Sequence, residues 1–129
     1  MVVVGPSAVG VEVADDVIVV GRDELEQSDA VLHEEVGGRR WRVSPGSFSQ
    51  ASAEGADALV EEVDGAVDLL VAHGVPTGRL VDLCAGVGLF AGTVGERFAH
   101  VVAVEPSPSA VADARANLDP AVEVVAATM

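Results

Sequence analysis

The sequence predicts an α/β protein with a parallel sheet, entered as strand–helix–strand–helix–strand and preceded by a small β region. Three observations carry this prediction. Apolar runs at 80–84, 100–105 and 121–126 alternate with stretches of helical spacing. A glycine turn, Gly86-Val87-Gly88, separates the first of these strands from the first of these helices. Residues 1–43 carry short Val-rich runs and a Gly-Gly pair instead of a helical period. The succession is the front half of a doubly wound, Rossmann-like sheet. At 129 residues the chain is long enough for one domain with a real core.

Taken in order, Val2 to Val20 reads as short strands with a turn near Ala14-Asp15-Asp16. Residues 21–29 are polar and loop-like, with room for one helical turn. Val31 to Val36 and Arg39 to Val43 form the arms of a hairpin around Gly37-Gly38, because glycines suit the positive φ angles of a tight hairpin turn. Alternation places Trp41 and Val43 on one face of the second arm, with Trp41 in the core, and Arg40 and Arg42 on the other. Ser44-Pro45-Gly46-Ser47 marks a boundary.

A helix follows over about 52–73, with Ala56, Leu59, Val60, Val63, Val67, Leu70 and Val71 on one stripe. It should stop at His73-Gly74, with Pro76 just beyond. Leu80 to Cys84 suits a buried parallel strand. Leu89 to Phe98 can make a helix, and His100 to Glu105 a second strand. Ser107 to Leu118 is a second helix with Ala110, Val111, Ala114 and Leu118 on its stripe, and Ala121 to Ala126 begins a third strand.

Composition excludes several functions. There are 21 acidic residues against 7 basic ones, every one an arginine, for a net charge of −14. That field repels a phosphate backbone, so the acid reads as a solubilising surface. Arg39, Arg40 and Arg42 form the one basic cluster, equally readable as a solvated hairpin face or as an RNA contact. The single cysteine, Cys84, excludes an internal disulfide and a cysteine-built zinc site. His33, His73 and His100 are scattered and predict no metal site. No apolar run approaches the ~20 residues of a membrane helix. Met1-Val2-Val3-Val4-Gly5 has no basic flank of a signal peptide, so a cytoplasmic location is expected.

The chemistry concentrates between residues 81 and 105. Gly86 and Gly88 leave room for a ligand to approach the backbone between strand and helix. Glu105, ending the next strand, can accept hydrogen bonds from both ribose hydroxyls of a nucleoside cofactor. Gly86-x-Gly88-x-x-Ala91 loosely fits a nicotinamide dinucleotide fingerprint as well. Asp82 discriminates, because a carboxylate there repels a pyrophosphate. It suits the ammonium-bearing methionine part of S-adenosylmethionine, or else fixes the glycine loop. The bland alternative is a tight strand-to-helix turn with no ligand.

Ser44-Pro45-Gly46-Ser47-Phe48-Ser49-Gln50, then Asp82 to Phe90, then Val104-Glu105-Pro106-Ser107 resemble the RNA uracil-5-methyltransferase family. Ala116-Asn117-Leu118 resembles it too, and the likeness runs over about residues 38–126. Phe48-x-Gln50 before the helix is its most specific part. The resemblance implies S-adenosylmethionine as cofactor and uridine in tRNA or ribosomal RNA as substrate. It implies that Gln50 touches the cofactor and that Glu105 binds its ribose. Cys84 stands where the family usually has an aromatic residue, and Leu89 where it often has Asn. The cofactor-binding set is therefore Gln50, Asp82, Cys84, Gly86, Gly88, Leu89 and Glu105.

The family's nucleophilic cysteine, which attacks C6 of uracil, its base and a further cofactor-binding Asp lie later in the domain. No catalytic residue is thus expected within this chain, and Cys84 reads as a packed small residue. The resemblance divides the chain into 1–43, a remnant of an RNA-facing subdomain, and 44–129, a partial S-adenosylmethionine-binding domain, inactive alone. It makes the strand at 80–84 central, so one edge of it should be bare and prone to self-association. The alternative function is a non-catalytic nucleoside-binding or interaction module.

Overall fold

The computed structural model describes residues 2–5, 15, 17–22, 29–50 and 52–127. β1 (Val2–Gly5) and β2 (Ile18–Gly21) pair in parallel, Val2 opposite Ile18 and Gly5 opposite Gly21. Asp15 lies in a turn, while Val11 and Val13 and most of 21–29 fall outside the described residues. β3 (Leu32–Val36) and β4 (Arg39–Val43) form the expected antiparallel hairpin, with Gly37 and Gly38 at φ 63 and 68. Trp41 and Val43 are buried, and Arg40 and Arg42 face outward.

α1 (Ala53–Ala72) starts at Ser52, whose side chain accepts from the Gly55 N–H at 3.0 Å. It closes with the Gly74 N–H donating to Val71 O and the Val75 N–H to Leu70 O, a Schellman motif. The stripe read from the sequence is only partly covered. Ala56 and Val67 are buried, but Leu59, Leu70 and Val71 are exposed. Among the described residues, α1 packs on β3 and on the turn at 94–97. Nothing described there covers the outer flank of its last turns.

β5 (Arg79–Leu83), β6 (His100–Glu105) and β7 (Glu123–Ala126) make a three-stranded parallel sheet in that order. Register runs from Arg79 opposite His100 and from Val102 opposite Glu123. Among the described residues, β5 has β6 as its sole strand partner, so its other edge is open. The helix expected over 89–98 is broken. α2 spans Leu89–Gly92, and Val94–Arg97 continues as a 3₁₀ turn. Gly92 and Gly95 lower helix propensity there. The Thr93 hydroxyl also donates back to Leu89 O at 2.7 Å, a bond that bends helices.

α3 (Pro108–Asn117) begins with proline in its first turn and buries Ala110, Val111 and Ala114, as its spacing predicts. It also buries Asp113. One cluster joins the hairpin to the sheet: Val36 and Trp41 pack with Ala56, Ala85, Ala91, Ala103, Ala114 and Leu118. Burying a tryptophan removes its large apolar surface from water, and this contact ties the hairpin down. Arg39 adds a polar tie. Its guanidinium donates to Gly92 O at 2.8 Å and to Asn117 O, and lies 4.7 Å from the Trp41 ring centre. Arg42 donates to Asp113 at 2.8 Å. Two of the three clustered arginines are thus occupied within the fold.

Candidate functional site

The site forms where β5 turns into α2. The turn is closed by the Gly88 N–H donating to Ala85 O at 2.9 Å. Cys84 begins it at φ 59, a left-handed conformation uncommon for a side-chain-bearing residue. That conformation turns the thiol outward, so Cys84 is exposed and not the packed residue the sequence suggests.

Glu105 stands behind the turn, 7% exposed. One carboxylate oxygen accepts from the Gly86 N–H and the other from the Ser107 N–H, both at 2.8 Å. Each oxygen keeps a lone pair for a further donor. Asp82 does something different. Its carboxylate accepts from the Ala91 N–H at 3.1 Å, so it fixes the start of α2. Burial pushes its pKa up, the Ala91 N–H pulls it down, and the charge of Glu105 raises it again.

A second segment, 48–50, arrives from the hairpin side. Its backbone comes close to the turn: a Cβ at Gly86 would sit 3.3 Å from Phe48 O. The Ser49 hydroxyl donates to Glu34 at 2.7 Å. The loop before it is held by Asp113, whose carboxylate accepts from Ser44 N–H, the Ser44 and Ser47 hydroxyls and Arg42. Burial alone would raise the Asp113 pKa, but the Ser47 hydroxyl, the Ser44 N–H, Arg42 and the Ser44 hydroxyl together hold it below the usual carboxylate value.

Between the two segments lies an apolar cavity of about 70 Å³. Gln50, Cys84, Gly86 and Leu89 line it together with Trp41 and Phe48. The fold thus brings together four of the seven residues singled out from the sequence. The other three lie outside that lining. Gly88 is buried against Leu118, Glu105 supports the turn from behind, and Asp82 lines a separate groove between α1 and β5. Sequence reasoning missed Asp113 and the Glu34–Ser49 contact. The lining is mostly apolar, with the Glu34 carboxylate, the Ser49 hydroxyl, the Gln50 amide and the Cys84 thiol among it, a set suited to binding a ring or alkyl group. Among the described residues no group of His, Cys, Asp and Glu could hold a metal ion.

No family model matches the chain. Single proteins do. It is 34% identical over 86 residues to a tRNA (uracil-5-)-methyltransferase homolog B of Danio rerio, covering 67% of this chain and 17% of that protein. It is 39% identical over 92 residues to an uncharacterized RNA methyltransferase of Streptomyces avermitilis, covering 69% of this chain and 20% of that protein. The chain therefore spans about a sixth to a fifth of the length of these relatives.

Among solved structures, it matches the Pyrococcus abyssi tRNA (uracil-54, C5)-methyltransferase in complex with S-adenosyl-L-homocysteine. The TM-score is 0.60 at 23% identity, over 76% of this chain and 24% of that one. Over about two thirds of its length the chain is thus similar to RNA uracil-5-methyltransferases and other RNA methyltransferases, and its α/β fold with a parallel sheet is theirs.

Proposed function

We propose that this chain is part of an S-adenosylmethionine-dependent RNA methyltransferase acting at C5 of uridine, and that its described residues form part of the cofactor pocket. The observation that carries the reading is the meeting of segment 48–50 with the glycine turn around one apolar cavity. The similarity to RNA methyltransferases supports it.

The residues present fit the cofactor. The side-chain-free Gly86 opens the turn to the cavity, and the two free lone pairs of Glu105 suit two vicinal hydroxyls. Gln50 offers an amide that both donates and accepts. When bound, the cofactor would supply an electrophilic methyl group on sulfur. The chain's own residues orient the nucleoside: Glu105 holds the ribose and the glycine turn, Gln50 reaches from the opposite wall, and Leu89 excludes water. Charge-assisted hydrogen bonds of the Glu105 kind contribute ~1.5–3 kcal/mol each.

At about 70 Å³ the cavity is smaller than a whole nucleoside cofactor site, commonly ~300–1,000 Å³. The rest of the pocket, the uracil-attacking cysteine and its base are therefore proposed to come from residues beyond those described. RNA is the proposed partner, and a cytoplasmic location agrees with it.

The test is calorimetric titration with S-adenosylhomocysteine of the full-length protein as wild type, Gln50→Ala and Glu105→Ala. Binding that either substitution weakens tenfold or more supports the reading. A folded full-length protein that binds nothing overturns it. A second reading, a non-catalytic nucleoside-binding module, is favoured by one observation. Arg39, Arg42 and Arg97 are tied to backbone carbonyls or carboxylates within the fold, which removes them from an RNA surface. Binding of cofactor by the full-length protein without methyl transfer to any RNA would favour it.

A further inference from the structure

We infer that Asp113, with Asn117 one turn later on α3, is a positioning residue that sets the gap between the Gln50 segment and the glycine turn. The inference rests on the proposed cofactor pocket and names the device that holds its two walls in register.

The geometry is specific. Residues four apart share one helix face. From that face, Asp113 receives four hydrogen bonds: Arg42 Nε at 2.8 Å, Ser44 N–H at 2.7 Å, Ser44 Oγ at 2.8 Å and Ser47 Oγ at 2.6 Å. Its side chain is fully buried. All four donors belong to the end of β4 and the loop leading to Phe48-Ser49-Gln50. The Ser47 N–H donates to Ser44 O at 2.9 Å and closes that loop on itself. Ser109, in the first turn of α3, presses on the same loop, since a Cβ at Gly46 would stand 3.1 Å from its hydroxyl.

Asn117 reaches the other wall. Its side-chain amide donates to Val87 O in the glycine turn at 3.0 Å and to Arg42 O at 2.9 Å. Its carbonyl oxygen accepts from the Arg42 N–H at 2.8 Å. One helix face therefore grips both sides of the cavity, and the backbone at Ser107 is held by Glu105. A buried carboxylate needs donors, but a purely structural one has no need for all of them to come from the segment that presents Gln50. Asparagine in its place keeps the shape, loses the charge and turns an N–H₂ toward former donors.

The test is a double-mutant cycle read by S-adenosylhomocysteine affinity of the full-length protein, in its wild-type, Asp113→Asn, Gln50→Ala and doubly substituted forms. Asp113→Asn is expected to weaken binding at least tenfold, and to change it less than twofold once Gln50 is alanine. Equal losses in both backgrounds would show a general structural role and overturn the inference. Amide exchange provides a reading independent of cofactor. Asp113→Asn should speed exchange at Ser44 and Ser47 at least tenfold while α1 stays protected, and unchanged exchange overturns the inference. If the wild type binds no S-adenosylhomocysteine, the cofactor reading fails and the exchange result alone decides the role of Asp113. Ser47→Ala removes one donor and serves if Asp113→Asn does not fold.

Discussion

Replacing Gly88 by alanine is expected to destabilise the fold by about 3 kcal/mol, from two structural causes. Gly88 caps α2 at φ 94, where a side chain costs ~1–2 kcal/mol. An added Cβ would stand 2.9 Å from both Leu118 Cγ and Cδ1 and 3.1 Å from Cδ2. Carbon atoms in ordinary contact lie ~3.5–4.0 Å apart, and overpacking of this kind costs ~1–3 kcal/mol. Against this, alanine restricts the unfolded chain and returns ~0.4–1 kcal/mol.

The assay is equilibrium urea unfolding followed by the fluorescence of Trp41, the single tryptophan, which is 1% exposed. With a slope of ~1–3 kcal/mol per molar urea, the midpoint should fall by roughly 1–3 M. In a Leu118→Ala background the steric part disappears and the cost of Gly88→Ala should shrink to ~1 kcal/mol. A midpoint within about 0.3 M of the parent protein would mean that Gly88 is not clamped under Leu118, and would refute the reasoning.

Three further outcomes follow from polar groups. Arg39→Met keeps volume but removes the donors to Gly92 O and Asn117 O and the contact over Trp41, so it should cost ~2–4 kcal/mol in the same urea assay. A loss under ~0.5 kcal/mol would show the guanidinium to be a surface group. For Asp82 the folded pKa lies above the ordinary carboxylate value of 3.8, so the folded state binds the proton more tightly than the unfolded chain. Its contribution to stability is therefore greatest at low pH and is lost as pH rises through the folded pKa. Unfolding measured from pH 4 to 7 should show Asp82→Asn gaining on the parent protein as pH rises, and a gap independent of pH would contradict this. Asp113 has the opposite sign: its lowered pKa gives stability that is present above 3.8 and lost on acidification.

Local chemistry made much of the fold legible. Ser52, Gly74 and Pro76 bracket α1, Gly37-Gly38 dictate the hairpin, and the apolar runs give the three parallel strands. The likeness carried by residues 44–50 and 82–90 singled out a candidate site, and four of its seven residues line one cavity. The remainder was hidden for physical reasons. Asp82 carried two readings, a contact to the ammonium of the cofactor or a brace for the glycine loop, and the bond it accepts from the Ala91 N–H fits the second.

Arg39 and Arg42 read as a solvated face or as an RNA contact, and the sequence alone gives no sign of the carbonyls and carboxylate waiting for them. The break of the helix after Gly92 is signalled in part by Gly92 and Gly95, but the Thr93 back-bond that bends it there is not a matter of propensity. Asp113 did carry a signal. It and Asn117 fall in phase with the apolar stripe of Ala110, Ala114 and Leu118, so two polar groups stand on the side of α3 that faces the protein. A polar residue on an apolar stripe marks a buried hydrogen-bonding partner.

The grip of α3 on the Ser44–Ser47 loop also orders events in time. Its hydrogen bonds span sequence separations of 66 to 71 residues. The hairpin can close on itself quickly, since its turn is two glycines. The loop that follows has one local bond, from the Ser47 N–H to Ser44 O, and its other contacts form only once the entropy of closing a long segment is met. During synthesis the loop leaves the ribosome well before α3, and it must wait for that helix to dock. The Gln50 wall is thus made early and settled late, so any delay in the docking of α3 is registered at the site.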